Sequence, residues 1–524
     1  MNAVKTVDIA IIGGGLGGNL LARQLRREVP EVSVALFERS RERSYKVGES
    51  TVEIAAHYLV GLGLSTYLYK EHLPKNGLRF FFDSEDRALE LPEMSEIGVN
   101  SLPPYPSFQL DRARLERDLL EMNKSAGVDV RIGALVQNLA LERDGAAHTF
   151  SVREDESESC WEARWVIDAT GRESTIAKQL DLRVPEKNHR IAAAWGRFQD
   201  VVDMDDLPAP EWRARAKHTS RVLSTNHFCY HGYWIWFIPL REGLTSVGVV
   251  QESKDWNVAR HKPEGFLSFL REHRAIASLL PDAKLVDLDA FTQLAFRTKQ
   301  FFSPDRWCLL GDSAAFTDPF YSPGSDFIAN ENDLITDLVR RDIAGEALAE
   351  VVDLYDRFMQ YRFDTTLVVY QDLYPALGSY ELFRAKAYFD TAIYYNLLFD
   401  SYADKQHTNP RWMRTTLRKR MYGLEMMSNF GRLFRAGADE MLRRGTYYRG
   451  NAGNAQLEGR TAFGVLADVG QGRHRREIAE RNEAIFARTE KILREALDQD
   501  PTGVEAFLPS HQSSPDVFSS LAAG

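Results

Sequence analysis

The first residues whose spacing suggests chemistry are the glycines of Gly13-Gly14-Gly15-Leu16-Gly17-Gly18, which fit a Gly-x-Gly-x-x-Gly turn through Gly13, Gly15 and Gly18. Such a turn suits a nucleotide pyrophosphate. Gly13 permits the tight bend, Gly15 lets the backbone approach the phosphates, and Gly18 lets helix and strand pack closely, while the helix N-terminus is partially positive. Alone the motif is a weak signal. Here the apolar, β-branched run Val7-Asp8-Ile9-Ala10-Ile11-Ile12 precedes it and a helical pattern from Asn19 to Arg27 follows. A second apolar run, Val32 to Phe37, ends at Glu38, twenty residues beyond Gly18, where an acid can accept hydrogen bonds from a ribose. Strand, glycine turn, helix, strand and acid together predict a complete nucleotide-binding unit.

The elements that must hold this unit are legible in outline. Trp165-Val166-Ile167-Asp168 and Trp307-Cys308-Leu309-Leu310 read as further buried strands. Between them, alternating and aromatic runs such as Phe228 to His231, Tyr233 to Ile238 and Leu244 to Val250 predict a second sheet lying over the first. The expected organisation is an α/β module over 1–330 with an inserted sheet at about 180–300, a helical region over 331–500, and a Ser- and Pro-rich flexible tail over 501–524. A net charge of −10 argues against nucleic acid as a partner. No run approaches the roughly 20 apolar residues of a membrane span, and no export signal opens the chain, so a cytoplasmic protein is expected. Cys160, Cys229 and Cys308 lack metal-type spacing and read as core thiols, so no metal site is expected.

Two later segments extend the nucleotide reading. Val166-Ile167-Asp168-Ala169-Thr170-Gly171-Arg172 and Leu310-Gly311-Asp312-Ser313-Ala314-Ala315-Phe316-Thr317-Asp318-Pro319 resemble the second and third nucleotide-contacting motifs of FAD proteins of the aromatic hydroxylase type. The resemblance implies a Rossmann-type FAD-binding domain of that type, with Asp168, Gly171, Gly311 and Pro319 in its cofactor motifs. It gives Asp312 the ribityl chain, and it makes Arg112, in Phe108-Gln109-Leu110-Asp111-Arg112, an FAD contact. No second glycine fingerprint for NAD(P)H appears, which suggests that reduced FAD comes from a separate flavin reductase.

The segment Tyr233-Trp234-Ile235-Trp236-Phe237-Ile238-Pro239 matches the Trp-x-Trp-x-Ile-Pro signature of flavin-dependent halogenases. The resemblance places Trp234 and Trp236 between flavin and substrate, where they discourage direct oxygen transfer; two same-face tryptophans packed in a sheet is the plainer reading. Lys46-Val47-Gly48-Glu49-Ser50-Thr51 resembles the family's early Gly-Glu segment, adding Gly48 to the cofactor contacts. The family's reactive lysine then corresponds to Lys75, five residues before Phe80. An amine made nucleophilic by burial suits transfer of electrophilic halogen, and arginine, such as nearby Arg79, does not. A solvated loop lysine is the competing reading.

The chain departs from the family at two places. Free-tryptophan halogenases carry a glutamate after the Asp-Pro pair, where this chain has Tyr321, so the resemblance is closer to halogenases of phenols and pyrroles and to the aminopyrrolnitrin-chlorinating type. The family's halide rests against backbone amides of a Ser-Thr-Gly turn. Pro323 replaces that threonine and has no amide hydrogen, so one donor is lost and three outcomes stand open: halide held through Gly324 and Ser325, weak binding, or no binding. Tyr321 and Asp326 can position a phenol or simply hold the turn. The expected reaction uses reduced FAD, oxygen and chloride or bromide to halogenate an electron-rich aromatic, free or carrier-protein-bound. A monooxygenase that hydroxylates the substrate and a flavoprotein without turnover are the alternatives, and a halide requirement separates the first two. The aromatic stretch Tyr370 to Phe399 reads either as the cover of a substrate channel or as ordinary helix packing.

Overall fold

The computed structural model describes residues 4–42, 45–103, 105–458 and 471–497; the expected tail over 501–524 lies outside the described residues. Its core is a mixed sheet in the order Asp129–Ile132, Val34–Glu38, Lys5–Ile12, Ser157–Asp168, His148–Glu154, Ala134–Ala140, with Trp307–Leu309 also paired to Ser157–Asp168. Parallel register sets Ile12 beside Phe37 and Asp168, and Asp168 beside Leu309. Four strands therefore end at one level, the edge at which open α/β sheets bind ligands. Ile9, Ala10, Ile11, Leu36, Val166 and Ile167 are fully buried, as strands covered on both faces require. The second strand starts at Val34 rather than Val32, because the Val32 amide donates to the Val29 carbonyl and holds Val32 in the turn.

The second sheet has nine strands, and its central antiparallel run is Ile191–Gln199, Leu244–Glu252, Tyr233–Pro239 and Thr225–Tyr230. It also recruits Leu78–Phe82, parallel to Thr225–Tyr230, then Ser95–Val99, and finally Ala455–Glu458, parallel to Ser95–Val99. One face carries Phe80, Trp234 and Trp236, which pack with Phe320 against the C-terminal helices. The other packs Phe81, Phe228 and Phe237 against Trp212 of the helix Pro210–Arg215 and against the helices Pro263–Arg271 and Arg274–Leu279. Inside the sheet edge, Glu96 binds two fully buried arginines, Arg79 at 2.6 Å and Arg221 at 2.8 Å.

From Gly324 on, the described chain is mainly helical, including Gly324–Ile343, Ala349–Tyr370, Tyr380–Ile393, a π-helical turn Tyr394–Phe399 and Arg420–Arg444. Among the described residues no helix is long and apolar enough to cross a membrane, and no group of His, Cys, Asp and Glu could hold a metal ion. Cys229 and Cys308 are buried, whereas Cys160 is exposed, because it lies in the outer half of Ser157–Asp168, beyond the covered part of the strand.

Candidate functional site

Backbone geometry explains the glycine turn. Gly13 has φ +113°, and a Cβ there would lie 2.3 Å from the Ala169 carbonyl oxygen, so only glycine lets the turn pass the neighbouring strand end. Around Gly15 no atom lies within 4 Å of the Cβ position, and the helix Leu16–Glu28 has no side-chain cap. Open space meets the uncapped positive end of a helix, a ready site for a pyrophosphate. Glu38 sits at the rim, held by the Gly14 amide at 2.7 Å and the Ser40 amide at 2.8 Å.

The two later motifs converge on the same edge. Asp168 accepts from the Thr170 amide and hydroxyl and from the Ile176 amide, so its carboxylate shapes the turn that leads to Gly171. The Gly311 amide donates to Glu331 at 2.6 Å. Burial raises the pKa of Asp312, against the opposing charges of Arg172, Arg112 and Arg183. Arg112 donates to Glu116 and, at 3.1 Å, to the Val47 carbonyl. Gly48 has φ +96°, and a Cβ there would lie 2.7 Å from Arg112 Nη1, so this arginine holds its loop by direct backbone approach. Pro319 accepts from the Ser322 amide and stabilises the turn before Pro323.

Beside this loop lie polar atoms that the protein leaves unanswered. Glu49 is buried and neither carboxylate oxygen has a hydrogen-bond partner among the described residues, as is true of Nε and Nη1 of Arg197, 3.6 Å from Glu49. Buried polar groups without partners are rare and unfavourable. A flavin, whose ring carries donors and acceptors on one edge, fits this setting, and the open glycine turn fits its pyrophosphate.

Lys75 lies farther in, 2% exposed. Its Nζ donates to Ser50 Oγ at 2.8 Å and to the Thr51 carbonyl at 2.7 Å, so the Gly48–Thr51 loop that flanks the nucleotide site also fixes the lysine. Burial lowers its pKa to about 8, opposed by the charges of Glu53 and Asp326. All three border a cavity of about 750 Å³, together with Tyr321 and Pro323. Asp326 accepts from the Ala55 amide and from Tyr394 Oη, and burial raises its pKa to about 7. Glu53 accepts from Tyr395 Oη at 2.5 Å. Tyr321 donates to Asp390, itself paired with Lys386. The cavity runs on to the exposed residues Arg411, Gly472 and His474.

The tryptophans do not line that cavity. Trp234 donates to Tyr374 Oη at 3.3 Å, and Tyr374 donates to Asp318; Trp236 donates to Ser246 Oγ at 3.1 Å. Phe320 stands edge-on to Trp234 and also touches Phe80, placing the pair one layer behind the wall. Pro323 caps the helix Gly324–Ile343, beside open space at Gly324 and a buried Ser325 Oγ that lacks a partner among the described residues. Sequence reasoning missed Glu53, Tyr394 and Tyr395 as site residues. The one available signal was the aromatic stretch itself, which serves both purposes: Tyr394 and Tyr395 border the cavity, while Phe389 packs against Phe430 and Phe486.

Residues 6–357 match the protein family described as FAD binding domain. Flavin-dependent halogenase chlA of Dictyostelium discoideum is 29% identical over 442 residues, covering 78% of this chain and 73% of that protein. The 1H-pyrrole-2-carbonyl-[peptidyl-carrier protein] chlorinase of Pseudomonas fluorescens is 24% identical over 342 residues, covering 62% and 73%. Among solved structures, halogenase PltM in complex with phloroglucinol and FAD superposes with a TM-score of 0.67 at 18% identity, covering 96% of this chain and 98% of that one.

Proposed function

Because the chain belongs to the FAD binding domain family, we propose that it is a flavin-dependent halogenase that places chlorine or bromine on an electron-rich aromatic ring such as a phenol or pyrrole. The observation that carries this reading is a buried lysine with a lowered pKa, held by the nucleotide-side loop at the inner end of a large cavity. Relatives named as halogenases, including a carrier-protein pyrrole chlorinase, support it.

Gly13, Gly15, Gly18, Glu38, Gly48, Arg112, Gly171, Gly311 and Asp312 would hold FAD, with Asp168 and Pro319 shaping its turns. When bound there, FAD reduced by a separate cytoplasmic reductase would supply, together with oxygen, the oxidising chemistry that turns halide into hypohalous acid. Gly324 and Ser325 receive the halide, Ser325 through its unpartnered hydroxyl. The free amine of Lys75 exchanges a proton for the halogen and releases water. The ring then exchanges its own proton for that halogen and restores the amine. Ser50 and Thr51 hold the amine in place by accepting its hydrogen bonds, and burial increases the fraction that is unprotonated and nucleophilic near neutral pH. Trp234, Trp236 and Phe320 pack one layer behind the cavity wall, where they stiffen it without meeting the substrate ring. Tyr321, engaged with Asp390, takes no part in positioning the electrophile, so the substrate must itself be activated.

Pro323, which lacks the amide expected to hold halide, favours a second reading, an FAD-dependent monooxygenase. The test is an aerobic assay with FAD, a flavin reductase, NADH and a panel of phenols, pyrroles and indoles, run with bromide, with chloride and without halide. A product that gains halogen in the wild type and not in Lys75→Ala is expected. A product that gains only oxygen, whatever the halide, would establish the monooxygenase instead.

A further inference from the structure

Other buried arginines of the fold have carboxylate partners: Arg79 and Arg221 share Glu96, Arg197 lies between Glu49 and Asp287, and Arg473 binds Asp400 and Asn396. Arg362 is different. It lies on the helix Ala349–Tyr370, is 8% exposed and borders the same cavity as Lys75. Among the described residues its guanidinium has charged and phenolic neighbours but no hydrogen-bonded or ion-paired partner. Its electrostatic neighbours are Asp326, Tyr394 and Tyr361. Asp326 acts on it through charge without a hydrogen bond, its oxygens being turned to the Ala55 amide and Tyr394 Oη. A buried, unpaired cation destabilises the free protein. It makes physical sense where a ligand brings the missing anion, and a planar guanidinium matches a planar oxyanion in a bidentate contact.

We propose that the aromatic substrate carries an anionic oxygen group, a carboxylate or a phenolate, which Arg362 binds so that the ring is presented to Lys75. This inference rests on the reading of the cavity as the substrate site. The cavity, about 750 Å³ in volume, falls in the range of sites for drug-sized ligands and leaves room for substituents beyond a single ring. Arg362 thereby sets specificity, selecting anionic substrates, of which phenolates are also the more electron-rich rings.

The test uses the oxidised, FAD-loaded protein and needs no turnover. Binding of 4-hydroxybenzoate and of its neutral counterpart 4-hydroxybenzamide is measured by calorimetry on the wild type, Arg362→Lys and Arg362→Gln. Titration of 4-nitrophenol, followed through the visible band of its phenolate, asks whether a phenolate is an equal or better partner than a carboxylate. The wild type should prefer the acid over the amide by roughly tenfold or more, Arg362→Gln should lose the preference, and Arg362→Lys should keep part of it. In the absence of ligand, Arg362→Gln should melt higher than the wild type, since it removes an unanswered charge; an arginine kept for stability would give the opposite shift. Equal binding of acid and amide by the wild type overturns the role of Arg362. So does a preference that disappears when chloride replaces gluconate at constant ionic strength, which would make the arginine a halide site. No binding of acid, amide or nitrophenol overturns the reading of the cavity itself, a distinct result.

Discussion

Replacing Lys75 with methionine removes a buried amine while keeping an unbranched side chain of similar length, and the structure fixes what this should do to stability. Burial lowers the pKa of Lys75 from 10.5 to about 8. Between those values the unfolded chain binds the proton that the folded chain has released, so the wild type gains stability as pH rises through this window. Below about 8 both states are charged and the folded state bears the full penalty of an enclosed ammonium. Two and a half pKa units correspond to about 3 kcal/mol, of which about 1.3 kcal/mol is recovered between pH 7 and pH 9. Lys75→Met has no such group, so the difference in unfolding free energy between the two proteins should narrow or widen by about 1.3 kcal/mol across that interval, always in favour of the wild type at the higher pH. Urea denaturation of the flavin-free proteins at both pH values measures it, and comparison with the variant removes the contribution of acids that titrate nearby. Parallel stability curves would refute the reasoning, because Lys75 would then keep its ordinary pKa and no special nucleophilicity.

Gly13→Ala, which forces a Cβ to within 2.3 Å of the Ala169 oxygen at φ +113°, should yield purified protein without bound flavin absorbance and with a stability loss of about 2 kcal/mol or more. Glu96→Ala strands Arg79 and Arg221 and should destabilise by about 4 kcal/mol in a denaturant titration. Glu331, raised by burial to about 8 from 4.5, contributes stability that is fully present below about pH 4.5 and is lost as pH rises through 8. Glu331→Gln should therefore be the more stable protein above pH 8, by up to about 5 kcal/mol, and thermal melts across the pH range will show whether the curves diverge.

The nucleotide half of the site is legible in the sequence because it is built locally. Gly13 to Glu38 forms one strand-turn-helix-strand unit, and its signals are glycine positions and β-branched runs within forty residues of each other. Lys75 is a loop lysine by composition; its placement depends on Ser107 and on Ser50 and Thr51, with Ser50 in turn bonded to Thr225, all from separate segments, so only the resemblance to a family singled it out. Arg362 and the hydroxyls of Tyr394 and Tyr395 are less legible still. They belong to amphipathic helices in which any position can face either the core or a void, and the π-helical turn that sets Tyr394 and Tyr395 on Asp326 and Glu53 has no marker in the sequence. The overlying sheet was anticipated from alternation between 180 and 300, whereas Ala455–Glu458 is too short and too polar to announce itself as its edge.

That last strand has a consequence for how the protein is made. Ser95–Val99 pairs on one side with Leu78–Phe82, and its other side is closed by Ala455–Glu458. A ribosome releases the chain from its N-terminus, so the nine-stranded sheet keeps an open edge until more than three hundred further residues have emerged. Unpaired edges invite pairing between nascent chains. Chains truncated before residue 455 should therefore associate on translation even where their nucleotide-binding half folds, and the yield of soluble protein should depend on how quickly that final strand is delivered.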